Sequence, residues 1–249
     1  MHSVLGIDVG GSSIKAALVD VWAGQTVSPL ASLPTPQPST PERLMEAFVE
    51  LDASLGAQGP VGLALPSVVQ HGVARTAANI DKGWIGFDCA GSLQSRLQRP
   101  VTVLNDADAA GLAEMRWGAG RGTLGVVIML TFGTGIGTAV FNDGQLLPNT
   151  EFGHLEMDGR EAEHQASARV RTVEKLDWPQ WAERVNAYLS RMHGLFWPDV
   201  FILGGAVSEN FDRFAPLLTS PAQIRAAQFR GQAGLIGAAL AASRASEGG

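Results

Sequence analysis

The segment GIDVGGSSIKAALVD, residues 6–20, sets a carboxylate, two glycines, two hydroxyls and an ammonium within eight residues, between two apolar runs. Val4, Leu5, Ile7 and Val9 read as one buried strand, and Ile14, Ala16, Leu18 and Val19 as a second. Gly10 and Gly11 lie between them, and glycine turns a chain tightly because it tolerates positive φ. The expectation is a β-hairpin with Asp8 at the end of its first strand. Such a hairpin is either a turn and nothing more, or a phosphate loop. In a phosphate loop the backbone N–H groups form an anion nest, Ser12 adds a hydroxyl and Lys15 adds charge. It is not a Walker A loop, because GxxxxGK[ST] is missing, and no GxGxxG opens a helix here.

The chain has 249 residues, of which 45% are apolar and 17% charged, so it can bury a sizeable core and is not disordered. Its net charge of −6 disfavours nucleic acid as a partner. A polyanionic ligand must then be held by a local patch. The single cysteine, Cys89, excludes an intramolecular disulfide and a multi-cysteine zinc site, and reads as a small buried apolar residue. The first strand begins almost at Met1. The longest apolar run, VVIMLTFGTGIGTAVF, is interrupted by Gly and Thr and is too short to span a bilayer. A soluble, cytoplasmic protein with no membrane partner is expected.

Beyond the first hairpin, PTPQPSTP (34–41) reads as an extended link, with Thr40 capping a helix whose first residue is Pro41. Leu44, Phe48, Leu51 and Leu55 share one face of that helix. VGLALP (61–66) and VTVLND (101–106) read as strands, the second running into a helix from about Asp106 to Trp117. A second glycine hairpin occupies 126–141, and Asn142-Asp143-Gly144 is a turn signal after it. A helix over about 179–197 places Trp181, Val185, Tyr188, Met192 and Leu195 on its apolar face. DVFILGG (199–205) is a strand meeting a glycine turn, and the last helix spans about 231–244. The pattern of apolar strand, Gly/hydroxyl turn and apolar strand therefore occurs twice. It predicts two similar α/β lobes with one phosphate loop each, facing a cleft. The lobes are expected at 1–108 and 109–249, with the last helix packing back on the first.

Three groups carry chemistry. In TFGTGIG (131–137), glycines at alternate positions of a pleated strand expose its backbone to close approach, and Thr131 and Thr134 supply hydroxyls. Asn105, Asp106 and Asp108 sit where a strand passes into a helix. Asp106 there either caps the helix or accepts the proton of an attacking hydroxyl. Glu151, His154 and Glu163 can bind a divalent metal or hydrogen-bond several hydroxyls of a polyol. Lys82, in NIDKGW, is either a solvated loop lysine or a contact to a phosphate chain.

The motifs DVGGSSIK, LNDAD, TFGTGIG, EFGH and FILGG, in this order, resemble those of the ROK sugar kinases. The longer strings TPQPSTP, RTAANIDKGWIG, LNDADAAGLAE, LTFGTGIG and LPNTEFGHLE resemble one branch of that family, the bacterial polyphosphate glucokinases. The resemblance covers nearly the whole chain. It implies an α/β, actin-like, duplicated ribonuclease-H-like architecture with an interlobe cleft. It implies transfer of a phosphoryl group from polyphosphate, or from ATP, to the 6-hydroxyl of glucose, with Mg²⁺ as cofactor. Asp8, Gly10, Gly11, Ser12 and Lys15 then belong to the first phosphate loop, with Asp8 near the metal. Thr131, Gly133, Thr134 and Gly135 belong to the second loop. Asp106 is the general base. Asn105, Asp106, Glu151, His154, Glu163 and Asn79 hold the sugar, and Gly204 and Gly205 lie beside adenosine.

Departures from the family pattern also speak. Many ROK kinases carry a Cys-rich zinc element after the EGH-type motif; here LEMDGREAEHQAS has no cysteine, so no structural zinc is expected. Ser67 follows Pro66 where the family has Gly, which alters a loop near the sugar, and Ala206 replaces the third glycine of the adenosine-side turn. Arg169, Arg171 and Lys175 are candidate cations for the polyphosphate path. A homodimer is expected from the family, with the 181–197 helix as its interface or as plain core. The rivals are an ATP-only glucokinase, a glucomannokinase or another ROK hexose kinase, and a sugar-sensing protein without catalysis. A ROK repressor would carry a DNA-binding domain ahead of the first hairpin.

Overall fold

The structure, a computed structural model, describes residues 3–247. The chain forms two compact units: the first ends at Trp117 and takes the chain back from Gln232, and the second is Gly118–Gly231.

The first unit opens with the hairpin β1 (Ser3–Val9) and β2 (Ser13–Asp20), then β3 (Gln25–Thr26) and β4 (Ala31–Pro34). Helix α1 (Pro41–Leu55) follows, started by the Thr40 side chain accepting from the Arg43 N–H and ended at Gly56 with φ 60°. Pro41 at the first turn loses no hydrogen bond. Leu44, Phe48 and Leu51 are buried by α1. Strand β5 (Val61–Leu65), the small hairpin β6 (Val69–Gln70) and β7 (Val73–Ala74), α2 (Cys89–Leu97), β8 (Val101–Asn105) and α3 (Asp106–Trp117) complete this stretch. The sheet order is β3-β2-β1-β5-β8, with β4 also on β2, and β1, β5 and β8 are parallel. All five residues of β5 are buried, as a central parallel strand requires.

The second unit repeats this wiring. Its hairpin is β9 (Val126–Phe132) and β10 (Ile136–Asn142), followed by β11 (Gln145–Leu147). Asp143 and Gly144 turn from β10 into β11 with φ 51° and 78°, the left-handed pair that a two-residue hairpin demands. Then come the short hairpin β12 (Glu156–Met157) and β13 (Arg160–Glu161), α4 (Glu163–Ala166), α5 (Ala168–Val173), α6 (Trp178–Phe196), β14 (Val200–Gly204), α7 (Phe211–Phe214) and β15 (Gln223–Ala226). The order β11-β10-β9-β14-β15 matches β3-β2-β1-β5-β8 position for position, and β9, β14 and β15 are parallel. A capping box of Asp177 and Gln180 starts α6, whose Trp181, Val185, Tyr188 and Met192 enter the core. Leu195, expected on that face, is instead 53% exposed, because it lies in the last turn of the helix.

The chain then returns to the first unit as α8 (Ala233–Glu247), packed against β1, β5 and α3. The boundary expected after residue 108 falls inside α3. That helix runs unbroken to Trp117 and packs along α8, so the division comes nine residues later. Glycines decide how close α8 comes. A methyl on Gly6 would enter the Leu235 carbonyl, one on Gly62 the Ala238 carbonyl, and one on Gly237 the Ala109 carbonyl of α3. The Ala- and Gly-rich composition of α8 thus allows backbone-to-backbone packing.

Ala in place of Gly inside a helix ordinarily gains about 1 kcal/mol. At Gly237 the collision with a backbone carbonyl outweighs that gain, since overpacking costs about 1–3 kcal/mol. Gly237→Ala is therefore expected to lower stability by about 1–2 kcal/mol in urea unfolding. Equal or greater stability would show that α8 lies further from α3 than described.

Candidate active site

Asp8 lies near the end of β1, and its backbone pairs with Lys15 on β2. The turn between them is Gly10-Gly11-Ser12, all exposed, closed by the Gly10 N–H donating to the Ser13 carbonyl at 3.0 Å. Thr35 braces the turn from outside. Its hydroxyl donates to the Gly10 carbonyl at 2.6 Å and its N–H to the Ser12 carbonyl at 3.1 Å. Sequence reading missed Thr35, which sits in the Pro-rich link with no periodic signal. The Asp8 carboxylate faces the start of α8, where a methyl on Gly234 would come within 2.7 Å of its Cγ. Burial pushes Asp8 up to about 7, helped by the charge of Asp106 and opposed by that of Lys15.

Asn105 ends β8 and Asp106 begins α3. The capping is done by buried Asn105, whose Oδ1 accepts from the N–H groups of Ala107 at 2.8 Å and Asp108 at 3.1 Å. Its amide donates to the Ser67 carbonyl at 3.2 Å. Asp106, half-buried, accepts from the Ala107 N–H at 2.8 Å, and burial pushes it up to about 6 against that bond. Two carboxylates at strand ends, both above the usual carboxylate range, form a hard-oxygen donor set suited to a divalent cation. Ser67 turns its hydroxyl inward, between the carbonyls of Val68 and Thr76 at 2.9 and 2.8 Å. Asn79 is exposed in the loop before Lys82. The Lys82 ammonium donates to the Ala77 carbonyl at 2.6 Å, so it closes its own loop.

In the second unit, TFGTGIG spans the turn of the expected second hairpin, so its three glycines do not all lie on one pleated strand. Thr131 and Phe132 end β9, Gly133-Thr134-Gly135 form the turn, and only Ile136 and Gly137 return to strand. The Gly133 N–H donates to the Gly135 carbonyl at 3.0 Å, and Thr134 stands exposed at the tip. Gly204 ends β14 beside Thr131. Gly205 has φ 81°, and a methyl there would strike the Phe132 backbone, so only glycine fits. Ala206 begins a short 3₁₀ turn and needs no such freedom.

Glu151 precedes the 3₁₀ turn Phe152–His154. The His154 Nδ1 lies 3.1 Å from Glu161 Oε2, and its Nε2 lies 3.7 Å from Glu151. Burial alone would lower His154. The hydrogen bond to Glu161 and the charges of Glu163, Glu161 and Glu151 outweigh it, so its pKa is raised. The same hydrogen bond holds Glu161 below the usual range. Glu161 escaped sequence reading because a two-residue strand has no period to betray it. His154, Glu161 and Glu163 each bring a ligand atom within 4.8 Å of the others, so they could also hold a cation. Glu163 opens α4 and accepts from the Ile136 N–H at 3.2 Å. Of the three candidate cations, Arg171 stacks on the Trp178 ring at 3.6 Å, while Arg169 is exposed.

Residues 4–170 match the model of the ROK family. The chain is 48% identical to the polyphosphate glucokinase of Mycobacterium tuberculosis, over 95% of this chain and 89% of that one. The inorganic polyphosphate/ATP-glucomannokinase of Arthrobacter sp. strain KM superposes with a TM-score of 0.94 at 44% identity, covering 98% of this chain and 99% of that chain. A ROK family glucokinase of Streptomyces griseus, in complex with glucose and AMPPNP, superposes at 0.84 with 26% identity, covering 97% and 99%. With its duplicated sheets, each opened by a glycine hairpin, this chain has the actin-like fold and belongs to the ROK family.

Proposed function

We propose that the chain transfers the terminal phosphoryl group of inorganic polyphosphate, and also the γ-phosphoryl of ATP, to the 6-hydroxyl of glucose. The observation that carries this is a desolvated carboxylate, Asp106, presented at a strand end by a buried asparagine that caps its helix. Similarity to polyphosphate-using relatives supports the donor.

Asp106 accepts the proton of the 6-hydroxyl as the sugar oxygen attacks the terminal phosphorus. The bond from that phosphorus to the bridging oxygen breaks, and the shortened polyphosphate or ADP leaves. Positioning and charge neutralisation do most of the work in such a transfer. Asn105 aims Asp106, and Asn79, Glu151, His154 and Glu163 hold the sugar hydroxyls. Gly10, Gly11, Ser12 and Lys15 hold phosphate oxygens on the first turn. Thr131, Gly133, Thr134 and Gly135 do so on the second, with Gly204 and Gly205 beside adenosine when ATP is the donor. Asp8 would hold Mg²⁺, which when bound neutralises phosphate charge. Its fit rests on the paired carboxylates and the space left by Gly234. No zinc is assigned to the hairpin after His154, and the reaction is placed in the cytoplasm. No helix among the described residues is long and apolar enough to cross a membrane. A glucomannokinase is the second reading, since the Arthrobacter neighbour bears that name.

The partner is a second copy of the chain, and exposed Leu195 and Trp197, 53% and 75% accessible at the end of α6, are the proposed contact. Light scattering should give twice the chain mass, and Trp197→Ser should halve it. A wild-type monomer would sink this assignment.

Product formation from glucose and from mannose, with polyphosphate and ATP compared in nucleotide-free buffer, tests the activity. Turnover with ATP alone would remove polyphosphate from the reading, and no product from any pair would remove the reading itself. Asp106→Asn should cut kcat by about 10³-fold or more while glucose affinity changes little.

Asp8 and Asp106 hold their protons in the folded chain to about pH 7 and 6, well above an unfolded carboxylate near 3.8. Between those limits the folded state binds more protons, so their contribution to stability is present at low pH and fades as pH rises. Without metal or substrate, Asp106→Asn should be more stable than wild type at pH 8 by about 1–2 kcal/mol. The difference should vanish toward pH 4. An Asn variant less stable at pH 8 would mean the carboxylate is not desolvated.

A further inference from the structure

Glu163 enters the proposed function as a sugar ligand, yet its surroundings point to a second task. Its Oε2 accepts from the Ile136 N–H at 3.2 Å, the first strand residue after the Gly133-Thr134-Gly135 turn. A methyl on Gly135 would collide with that same Oε2, so the carboxylate lies against the turn itself. A methyl on Gly153 would meet the Ile136 carbonyl and come within 3.4 Å of Glu163 Oε2. The carboxylate therefore sits at a junction of two stretches, the turn of TFGTGIG and the turn of EFGH. Only glycine at 135 and 153 lets them meet.

The junction is braced on both sides. The segment that Glu163 opens returns to the same turn six residues on, where the Arg169 N–H donates to the Gly133 carbonyl at 3.0 Å. On the other side, buried Thr138 and Thr150 exchange hydrogen bonds: the Thr138 hydroxyl donates to the Thr150 carbonyl at 2.6 Å, and the Thr150 hydroxyl to the Thr138 carbonyl at 3.0 Å. The Phe152 N–H donates to the Thr138 hydroxyl at 3.2 Å. Turn, strand and sugar-side segment are thus one hydrogen-bonded unit. The second Glu163 oxygen, Oε1, lies 3.8 Å from the His164 ring. One oxygen serves the backbone of the donor turn, and the carboxylate also brings a ligand atom within 4.8 Å of those of His154 and Glu161.

We infer that Glu163 is a positioning residue for the second phosphate loop, so that the sugar site and the donor turn are coupled through its carboxylate. This rests on the kinase reading for the identity of the two ligands. Coupling of this kind is reciprocal: what disturbs one partner appears in the affinity for the other. A role confined to the sugar would show only in glucose affinity.

Three variants separate the two. Glu163→Ala removes the acceptor and should raise the KM for polyphosphate or ATP about tenfold, as well as that for glucose. Glu163→Gln keeps an amide oxygen able to accept from Ile136, and should recover the donor KM to within about threefold of wild type. Gly135→Ala changes only the donor turn, but its methyl meets Glu163 Oε2 and drives the carboxylate off the turn, so it should weaken glucose binding about three- to tenfold by calorimetry without donor. Amide exchange provides a readout that needs no turnover: residues 133–137 should exchange faster in Glu163→Ala and recover in Glu163→Gln. Donor KM and loop exchange unchanged in Glu163→Ala, or glucose affinity unchanged in Gly135→Ala, would overturn the coupling. If Glu163→Ala does not fold, Gly135→Ala and Glu163→Gln decide it by glucose affinity and loop exchange. A wild type that makes no product would defeat the kinase reading instead, and loop exchange would still decide the positioning role.

Discussion

The first unit depends on how closely one helix can lie on a sheet. Helix α8 rests with its backbone against β1, β5 and α3, at a separation only glycine permits at Gly6, Gly62 and Gly237. A parallel strand buried on both faces is usually covered by side chains. Here a carbonyl of α8 covers the Cα of Gly6 and another covers that of Gly62. The gain is dense packing with little side-chain entropy to lose, since alanine and glycine have few rotamers to freeze. The consequence for chemistry is local: Gly234 leaves the Asp8 carboxylate space at the start of α8 while shielding it from water. The shielding that raises Asp8 is thus a by-product of the packing that builds the unit.

Duplication follows from the same physics. Each sheet is opened by a hairpin whose turn is rich in glycine, and each hairpin is followed by a short antiparallel strand and then by parallel strands. The two turns are nevertheless braced by different means. Thr35 holds the first through its own hydroxyl and N–H, while Glu163 and Arg169 hold the second. A turn that must present N–H groups to an anion can spend few of them internally: the first spends that of Gly10 on Ser13 and the second that of Gly133 on Gly135. Its order has to come from outside, and each unit recruits a neighbouring segment for this purpose. That explains why the braces carry no shared motif although the turns do.

What the sequence disclosed follows this division. The hairpins, the capped α1, the Asp143-Gly144 turn and the buried face of α6 are local features with a period or a turn signature, and the structure has them where reading placed them. Leu195 was misread because periodicity says which side of a helix a residue is on, not where its neighbours stop. The division falls after Trp117 and not after 108, because α3 is held as one piece by a helix more than a hundred residues away. Asn105 was read as a ligand and is also the cap of α3. Hydrogen bonds to residues two and three ahead are local, and an Asn before Asp-Ala-Asp is a signal that could have shown it. Glu161 and Thr35 had no such signal, since each acts on a partner that only the fold brings near.

The Glu161–His154 pair carries this argument to the chemistry. A histidine exposed to water and to three carboxylates has two ring nitrogens whose protonation is otherwise undecided. Hydrogen bonding of Nδ1 to Glu161 favours a proton on that nitrogen, because a carboxylate only accepts. Neutral His154 then offers Nε2 as an acceptor, and protonated His154 offers it as a donor. The surrounding carboxylates raise the pKa and so extend the donor form upward in pH. In the proposed sugar site the hydroxyls both donate and accept, so a neighbour of either kind can be matched. What the cluster must supply is a fixed ring, and the Glu161 hydrogen bond supplies it from one edge of a two-residue strand.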